Sequence, residues 1–134
     1  MLETAASRYT QIRDTTATPG ELLLALYDGL FRFMNGARAC LQNNDNARAR
    51  ELLSKAYAIT SELYMALDHS IAPELCEHLE GLYGFAMDRI TAASRKSDIK
   101  MLEEAIRVLT PLREAWAVAV PQAQREMAAQ QARR

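Results

Sequence analysis

The residues best equipped for chemistry in this chain fall in two places, Asp68-His69 and Cys76-Glu77-His78. Imidazole, thiolate and carboxylate groups at close spacing are the donor set of zinc and related metal sites. In helical bundles, di-metal centres use a Glu three residues before a His, so that both reach one inward face. Neither histidine has that partner, because Ala66 precedes His69 and Leu75 precedes His78. Both clusters therefore read as solvated residues beside a connection between helices, and no metal or cofactor is expected. Glu103-Glu104 is a pair of neighbours on different helix faces and cannot act as a paired acid and base. There is no glycine-rich phosphate loop and no nucleophile elbow. The chain has no catalytic constellation and is not expected to be an enzyme.

What remains is a chain suited to packing. Its 134 residues fit one domain, and 49% hydrophobic with 25% charged residues is a globular composition. Five glycines and four prolines leave little material for tight turns. The formal net charge of −1 gives no reason to expect nucleic acid as a partner, which needs a concentrated basic face. Arg48-Ala49-Arg50 and Arg95-Lys96 have acids nearby and read as solvated helix ends. No run approaches the roughly 20 apolar residues of a membrane span, and residues 1–18 lack the apolar core of a secretory signal, so neither membrane insertion nor secretion is expected. Cys40 and Cys76 lie inside apolar-periodic segments and suit unpaired thiols in a reducing cytosol.

Four helical segments carry the periodicity. The first opens at Thr18-Pro19-Gly20-Glu21, a capping box with proline at the first helical position. Leu23, Tyr27, Leu30, Met34, Ala37 and Leu41 then recur every three or four residues. Asp45 caps the second segment, with Ala49, Leu52, Ala56, Ile59, Leu63 and Ala66 as its stripe and an end near His69-Ser70. The third starts at Pro73-Glu74, carries Leu75, Leu79, Leu82, Ala86, Ile90 and Ala93, and ends near Ser97. The fourth starts at Asp98 and carries Leu102, Ala105, Leu109, Leu112, Trp116 and Ala119. Pro121 predicts its end, and Pro111 predicts a kink near Arg107 or a split into two helices.

Segments of about 22 to 25 residues span about 33 to 38 Å, and short connections force neighbours to run antiparallel. The fold class is all-α, an antiparallel up-down-up-down four-helix bundle over residues 18–120. Residues 1–17 are expected to be a mobile N-terminal segment, helical in spacing but too short to be stable alone. Residues 121–134 are expected to be a polar, frayed tail.

The apolar faces are wider than one seam requires. The first helix has a second stripe at Leu22, Leu26, Gly29, Phe33, Gly36 and Cys40, and the second has one at Leu53, Tyr57, Thr60, Tyr64, Leu67 and Ile71. Either these faces widen the core, or they form a groove for an amphipathic helix of a partner. Gly29 and Gly36 imply a close approach, by a helix of the fold or by a bound segment.

At this point a resemblance enters. Thr16-Ala17-Thr18-Pro19-Gly20-Glu21-Leu22, continuing to Leu26-Tyr27-Asp28-Gly29, resembles the opening of the first long helix in the flagellin export chaperone family FliS. Glu62-Leu63 with Leu67-Asp68, Leu82-Tyr83-Gly84-Phe85 with Asp88-Arg89-Ile90, and Leu102-Glu103-Glu104-Ala105 with Leu112-Arg113-Glu114-Ala115-Trp116 follow in the family's order. Tyr9 matches the tyrosine of the family's N-terminal segment. The chain departs from the family pattern at Ile71-Ala72-Pro73, at Ala86, Met87 and Asp88, and after Pro121.

The resemblance implies a cytoplasmic chaperone. It would bind the C-terminal helical region of flagellin 1:1, block premature polymerisation and assist delivery to the flagellar type III export apparatus. A diverged four-helix adaptor for another export client or regulator is the other reading. On the resemblance, Tyr9, Ile12, Leu22, Leu26, Tyr27, Phe33, Tyr64, Leu67, Tyr83 and Met87 are assigned to the flagellin groove and its cap. The N-terminal segment, as that cap, also offers a route to self-association.

Overall fold

The computed structural model describes residues 17–133. The N-terminal cap, with Tyr9 and Ile12, lies outside those residues. Four helices follow in order: α1 (Pro19–Gln42), α2 (Asn46–Met65), α3 (Pro73–Lys96) and α4 (Ile99–Ala132). α1 packs on α2 and α4, and α3 packs on α2 and α4, with no backbone contact across either diagonal. That ring of neighbours is the up-and-down bundle.

Local chemistry explains most helix ends. The Thr18 hydroxyl accepts from the Glu21 N–H, and the Glu21 carboxylate accepts from the Thr18 N–H. The Asp45 carboxylate accepts from Arg48 N–H at the start of α2, and Asp98 accepts from Lys100 N–H at the start of α4. Asn44 and Ser97 take left-handed backbone conformations (φ 58° and 51°) that turn the chain after α1 and α3.

Two ends differ from expectation. α2 stops at Met65, not at His69-Ser70. Asp68 accepts hydrogen bonds from both the N–H and the hydroxyl of Ser70, a local turn that competes with helix continuation. That bonding also holds the Asp68 carboxyl below the usual carboxylate range. Ala66, placed on the core stripe by its spacing, is therefore the exposed cap of α2.

α4 does the opposite and runs 34 residues through both Pro111 and Pro121. Each proline leaves one carbonyl, on Arg107 or Ala117, without its helical donor. Both of those residues are exposed, so water can serve instead. Tertiary contacts hold the helix beyond Pro121. Val120 is buried against Gly20, where an added Cβ would meet it at 2.6 Å. The Gln124 amide donates to the Thr18 hydroxyl at 2.9 Å and approaches Glu21 at 3.4 Å. The segment read as a frayed tail after Pro121 is thus helical to Ala132, its first turn tied to the start of α1. The core stripe shifts with it, since Val120 is buried and Ala119 is exposed. On α3, Cys76 takes the buried position expected of Leu75, which is 51% exposed.

The centre of the bundle holds Leu30, Met34, Leu53, Ile90, Leu102 and Leu109, together with two phenols. Tyr27 of α1 and Tyr83 of α3 meet hydroxyl to hydroxyl at 2.6 Å across the diagonal. Burial pushes both phenols above their ordinary pKa, and the neighbouring Tyr83 raises Tyr27 further. The Trp116 indole N–H lies buried next to this pair, with no acceptor in hydrogen-bonding geometry. The corners are fastened by longer side chains. Arg113 donates to Asp28 at 2.8 Å and covers the Phe31 ring, joining α4 to α1. Arg89 approaches Glu104 at 2.9 Å and covers Phe85, joining α3 to α4.

Removing one member of the Tyr27–Tyr83 pair strands the other hydroxyl in the core. Tyr27→Phe and Tyr83→Phe should each cost about 1 to 2 kcal/mol in urea unfolding, and the double variant less than their sum. The pH dependence has a definite sign. Unfolded phenols ionise near pH 10 while the folded pair resists, so its stabilisation is full below about pH 10 and is lost as pH rises through the folded values. The double variant should therefore lose stability less steeply between about pH 9 and 11 than the parent.

Candidate partner-binding surface

The expected site residues divide by location. Tyr27, Phe33 and Tyr83 are buried and build the core. As the bundle stands they present no surface to a partner, so their expected contact with flagellin gives way to a packing role. Phe33 lies beneath Arg32 and Lys55, whose cations approach its ring at 5.7 and 5.6 Å. Leu26 and Leu67 are half-buried against the core. Leu22 and Met87 are half-buried.

At its two glycines the second stripe of α1 meets α2. A Cβ on Gly29 would sit 3.3 Å from Ile59, and one on Gly36 would sit 3.2 Å from Leu52. The close approach implied by these glycines comes from α2 of the same fold. The second stripe of α2 is split by the early end of that helix. Leu53 and Thr60 face inward, Tyr57 is 43% exposed, and Ile71 stands 80% exposed in the connection.

The open surface lies on the other side of α2, along its seam with α3. One hollow of about 280 Å³ is lined by Leu53, Ser54, Tyr57, Ile90, Thr91, Ser94 and Arg95. A second, of about 640 Å³, is lined by Tyr64, His69, Pro73, Glu77, Glu80, Gly81, Gly84 and Phe85. Because the helices are antiparallel, the two hollows follow one another along the same α2–α3 seam, and together they make up the groove. Of the sequence-assigned residues, Tyr64 lines it. Four of the six large exposed apolar residues among those described, Tyr57, Met65, Ile71 and Leu75, belong to α2, α3 or their connection.

Gly81 and Gly84 distinguish this groove. A Cβ at either would meet nothing within 4 Å, unlike Gly20, Gly29 and Gly36. A helical glycine costs about 1 kcal/mol relative to alanine, and here no contact within the described fold offsets that cost. Side-chain-free backbone facing open space suits the close approach of another helix. The periodic stripes miss these two residues because they lie off the apolar face of α3, which Leu79, Tyr83, Ala86, Ile90 and Ala93 carry. Their spacing of three in an otherwise Leu- and Ala-rich helix was the available clue.

The groove's wider end is held by a polar cluster. Tyr64 donates to Glu80 at 3.0 Å, and His69 Nε2 lies 3.3 Å from the other Glu80 oxygen. That hydrogen bond raises the Tyr64 pKa, with the Glu80 charge adding to it. Cys76 donates to the Asp68 carbonyl at 3.3 Å and pins the connection to α3. This arrangement ties α2, the connection and α3 together at that end of the groove. Among the described residues, no three His, Cys, Asp or Glu side chains converge on a possible metal position. No helix among them is long and apolar enough to cross a membrane.

Comparison with known proteins agrees with this architecture. The family model described as flagellar protein FliS matches residues 1–123. The flagellar secretion chaperone FliS of Bacillus subtilis (strain 168) is 38% identical over 112 residues, covering 84% of this chain and 83% of the relative. The corresponding chaperone of Salmonella typhimurium is 31% identical over 109 residues, covering 81% of each. A solved structure described as a flagellar chaperone from bacteria superposes with a TM-score of 0.71 at 24% identity, over 88% of this chain and 96% of the other, and shows the shared fold.

If Gly81 and Gly84 serve a surface and not the fold, filling them should favour the isolated protein. Gly81→Ala and Gly84→Ala should each raise stability by about 0.5 to 1 kcal/mol in chemical denaturation. A loss of stability at either position would mean that the fold itself needs the glycine.

Proposed function

The chain belongs to the FliS family, and from that premise we propose that it is a cytoplasmic export chaperone for flagellin. It binds the C-terminal helical region of the flagellin subunit, prevents premature polymerisation and assists delivery to the flagellar type III export apparatus. The work is binding, not catalysis. The observation that carries this reading is the α2–α3 groove, where Tyr57, Tyr64 and Phe85 stand among polar side chains and two glycines at one end have open space above them.

A client segment that is unfolded when free and amphipathic when helical has the matching properties. Laid in the groove, it removes apolar surface from water at about 25 cal/mol per Å². Ordering the segment opposes that gain, which keeps the complex reversible and lets the client leave at the export machinery. Residues 1–17, with Tyr9 and Ile12, act in this reading as an intramolecular competitor that lowers the apparent affinity until displaced. Leu22 and Leu26, near the start of α1, are the assigned groove residues nearest in sequence to that segment.

Mixed with the C-terminal region of flagellin from the same organism, the protein should co-elute as a 1:1 complex in gel filtration. Gly81→Leu, which fills open space, should weaken that complex at least tenfold by calorimetry without lowering the melting temperature. Separate elution of the two proteins would overturn the reading.

A further inference from the structure

The groove is not symmetric in charge. Glu77 and Glu80 line the end near the α2–α3 connection, and Arg95 lines the other. Arg50, exposed on α2, precedes the lining residues Leu53, Ser54 and Tyr57 by three, four and seven positions and so shares their face. One end is therefore acidic and the other basic, about 27 Å apart from Glu77 to Arg95 along α3 at 1.5 Å per residue.

The helix dipole explains only part of this. Acids at the start of α3 and Arg95 with Lys96 in its last turn complement that helix's own dipole. α2 runs the other way, and although Asp45 at its N-cap follows its dipole, Arg50 on the groove side does not. Its first turn has no acid, its last turn has no base, and Arg50 stands near its positive end. At the basic end the two antiparallel helices thus both bring an arginine to the groove, although their dipoles call for opposite charges there. The shared polarity belongs to the groove.

Resting on the flagellin reading above, we propose that the groove dictates the direction of the captured helix. Its N-terminal end, with the positive end of its dipole and its Lys or Arg side chains, lies over Glu77 and Glu80. Its C-terminal turn, carrying Asp or Glu, lies against Arg50 and Arg95. The client helix therefore runs parallel to α3 and antiparallel to α2, with an apolar face of small residues over Gly81 and Gly84.

Photo-crosslinking tests the direction. Benzoylphenylalanine is placed singly at Ser54 or Tyr64 in the full chain, and each protein is complexed with the flagellin C-terminal region. After irradiation the linked residues are mapped by mass spectrometry. Sites linked from position 64 should lie about 10 residues N-terminal, in the client, to those linked from position 54. The Arg50→Glu, Arg95→Glu double variant should bind several-fold more weakly at low salt, with the difference shrinking at high salt. The reverse crosslink order would overturn the direction while leaving the chaperone reading intact. An intact complex whose crosslinks go to residues 1–16 of this chain, to a second copy or to no client residue would overturn the groove as the client's seat. Failure to form the complex at all, scored by gel filtration beforehand, is the separate failure of the chaperone reading.

Discussion

A hydrogen bond between two buried phenols sets the geometry on which the bundle depends. The four helices touch only around the ring, so the centre must be filled by side chains long enough to reach across it. Tyr27 and Tyr83 do this from opposite corners, and each hydroxyl finds in the other a partner that the apolar core cannot supply. The pair constrains rotation as well as distance. With Tyr83 turned to the centre, the 100° step of the helix puts Gly81 about 160° away, on the outer face of α3. The same contact that closes the core thus directs the glycines outward. A Leu–Leu pair could fill the volume, but it would not demand one relative orientation.

Glycine plays two opposite parts in this molecule. Gly20, Gly29 and Gly36 admit Val120, Ile59 and Leu52, and so are used up within the fold. Gly81 and Gly84 admit nothing, and the space above them forms part of the groove. Proline shows a similar dependence on surroundings. Pro111 and Pro121 sit inside one continuous helix where the residues whose carbonyls lose a donor, Arg107 and Ala117, are exposed. Beyond Pro121, the contacts of Val120 and Gln124 with the start of α1 hold the chain helical. Local preference is overruled wherever a neighbouring helix supplies the missing stabilisation.

These features bear directly on how a chaperone of this family can hold a client. The groove's walls are set by core packing, its openness by two glycines, and its polarity by charges that the helix dipoles explain only in part. The polar cluster of Tyr64, His69 and Glu80 ties α2, the connection and α3 together at one end, so the groove is formed before any client arrives. Preorganisation of this kind leaves the ordering cost with the client segment alone, which is compatible with a complex that must later come apart.

The amino-acid sequence by itself determined the four helices, their antiparallel order and most of their caps. It could do so because the capping box at Thr18, the N-caps at Asp45 and Asp98 and the three-to-four spacing of apolar residues are local signals, each readable within one or two turns. The motifs in family order likewise identified the family without any coordinates. The surface proposed for a client was not readable in the same way. Tyr27 and Phe33 of α1 and Tyr83 of α3 look like binding aromatics when each helix is read alone, and only the packing of four helices shows that they are enclosed. Nothing local to Gly29 with Gly36, or to Gly81 with Gly84, says what stands opposite, yet the first pair meets α2 and the second meets open space. The end of α2 at Met65 and the passage of α4 through Pro121 were also decided by contacts beyond the local chain, the first by an Asp68–Ser70 turn and the second by Val120 and Gln124 against α1. Hydropathy periodicity says which residues want to leave water. Which neighbour takes them out of it is a property of the assembled bundle, because burial depends on atoms brought together from distant parts of the chain.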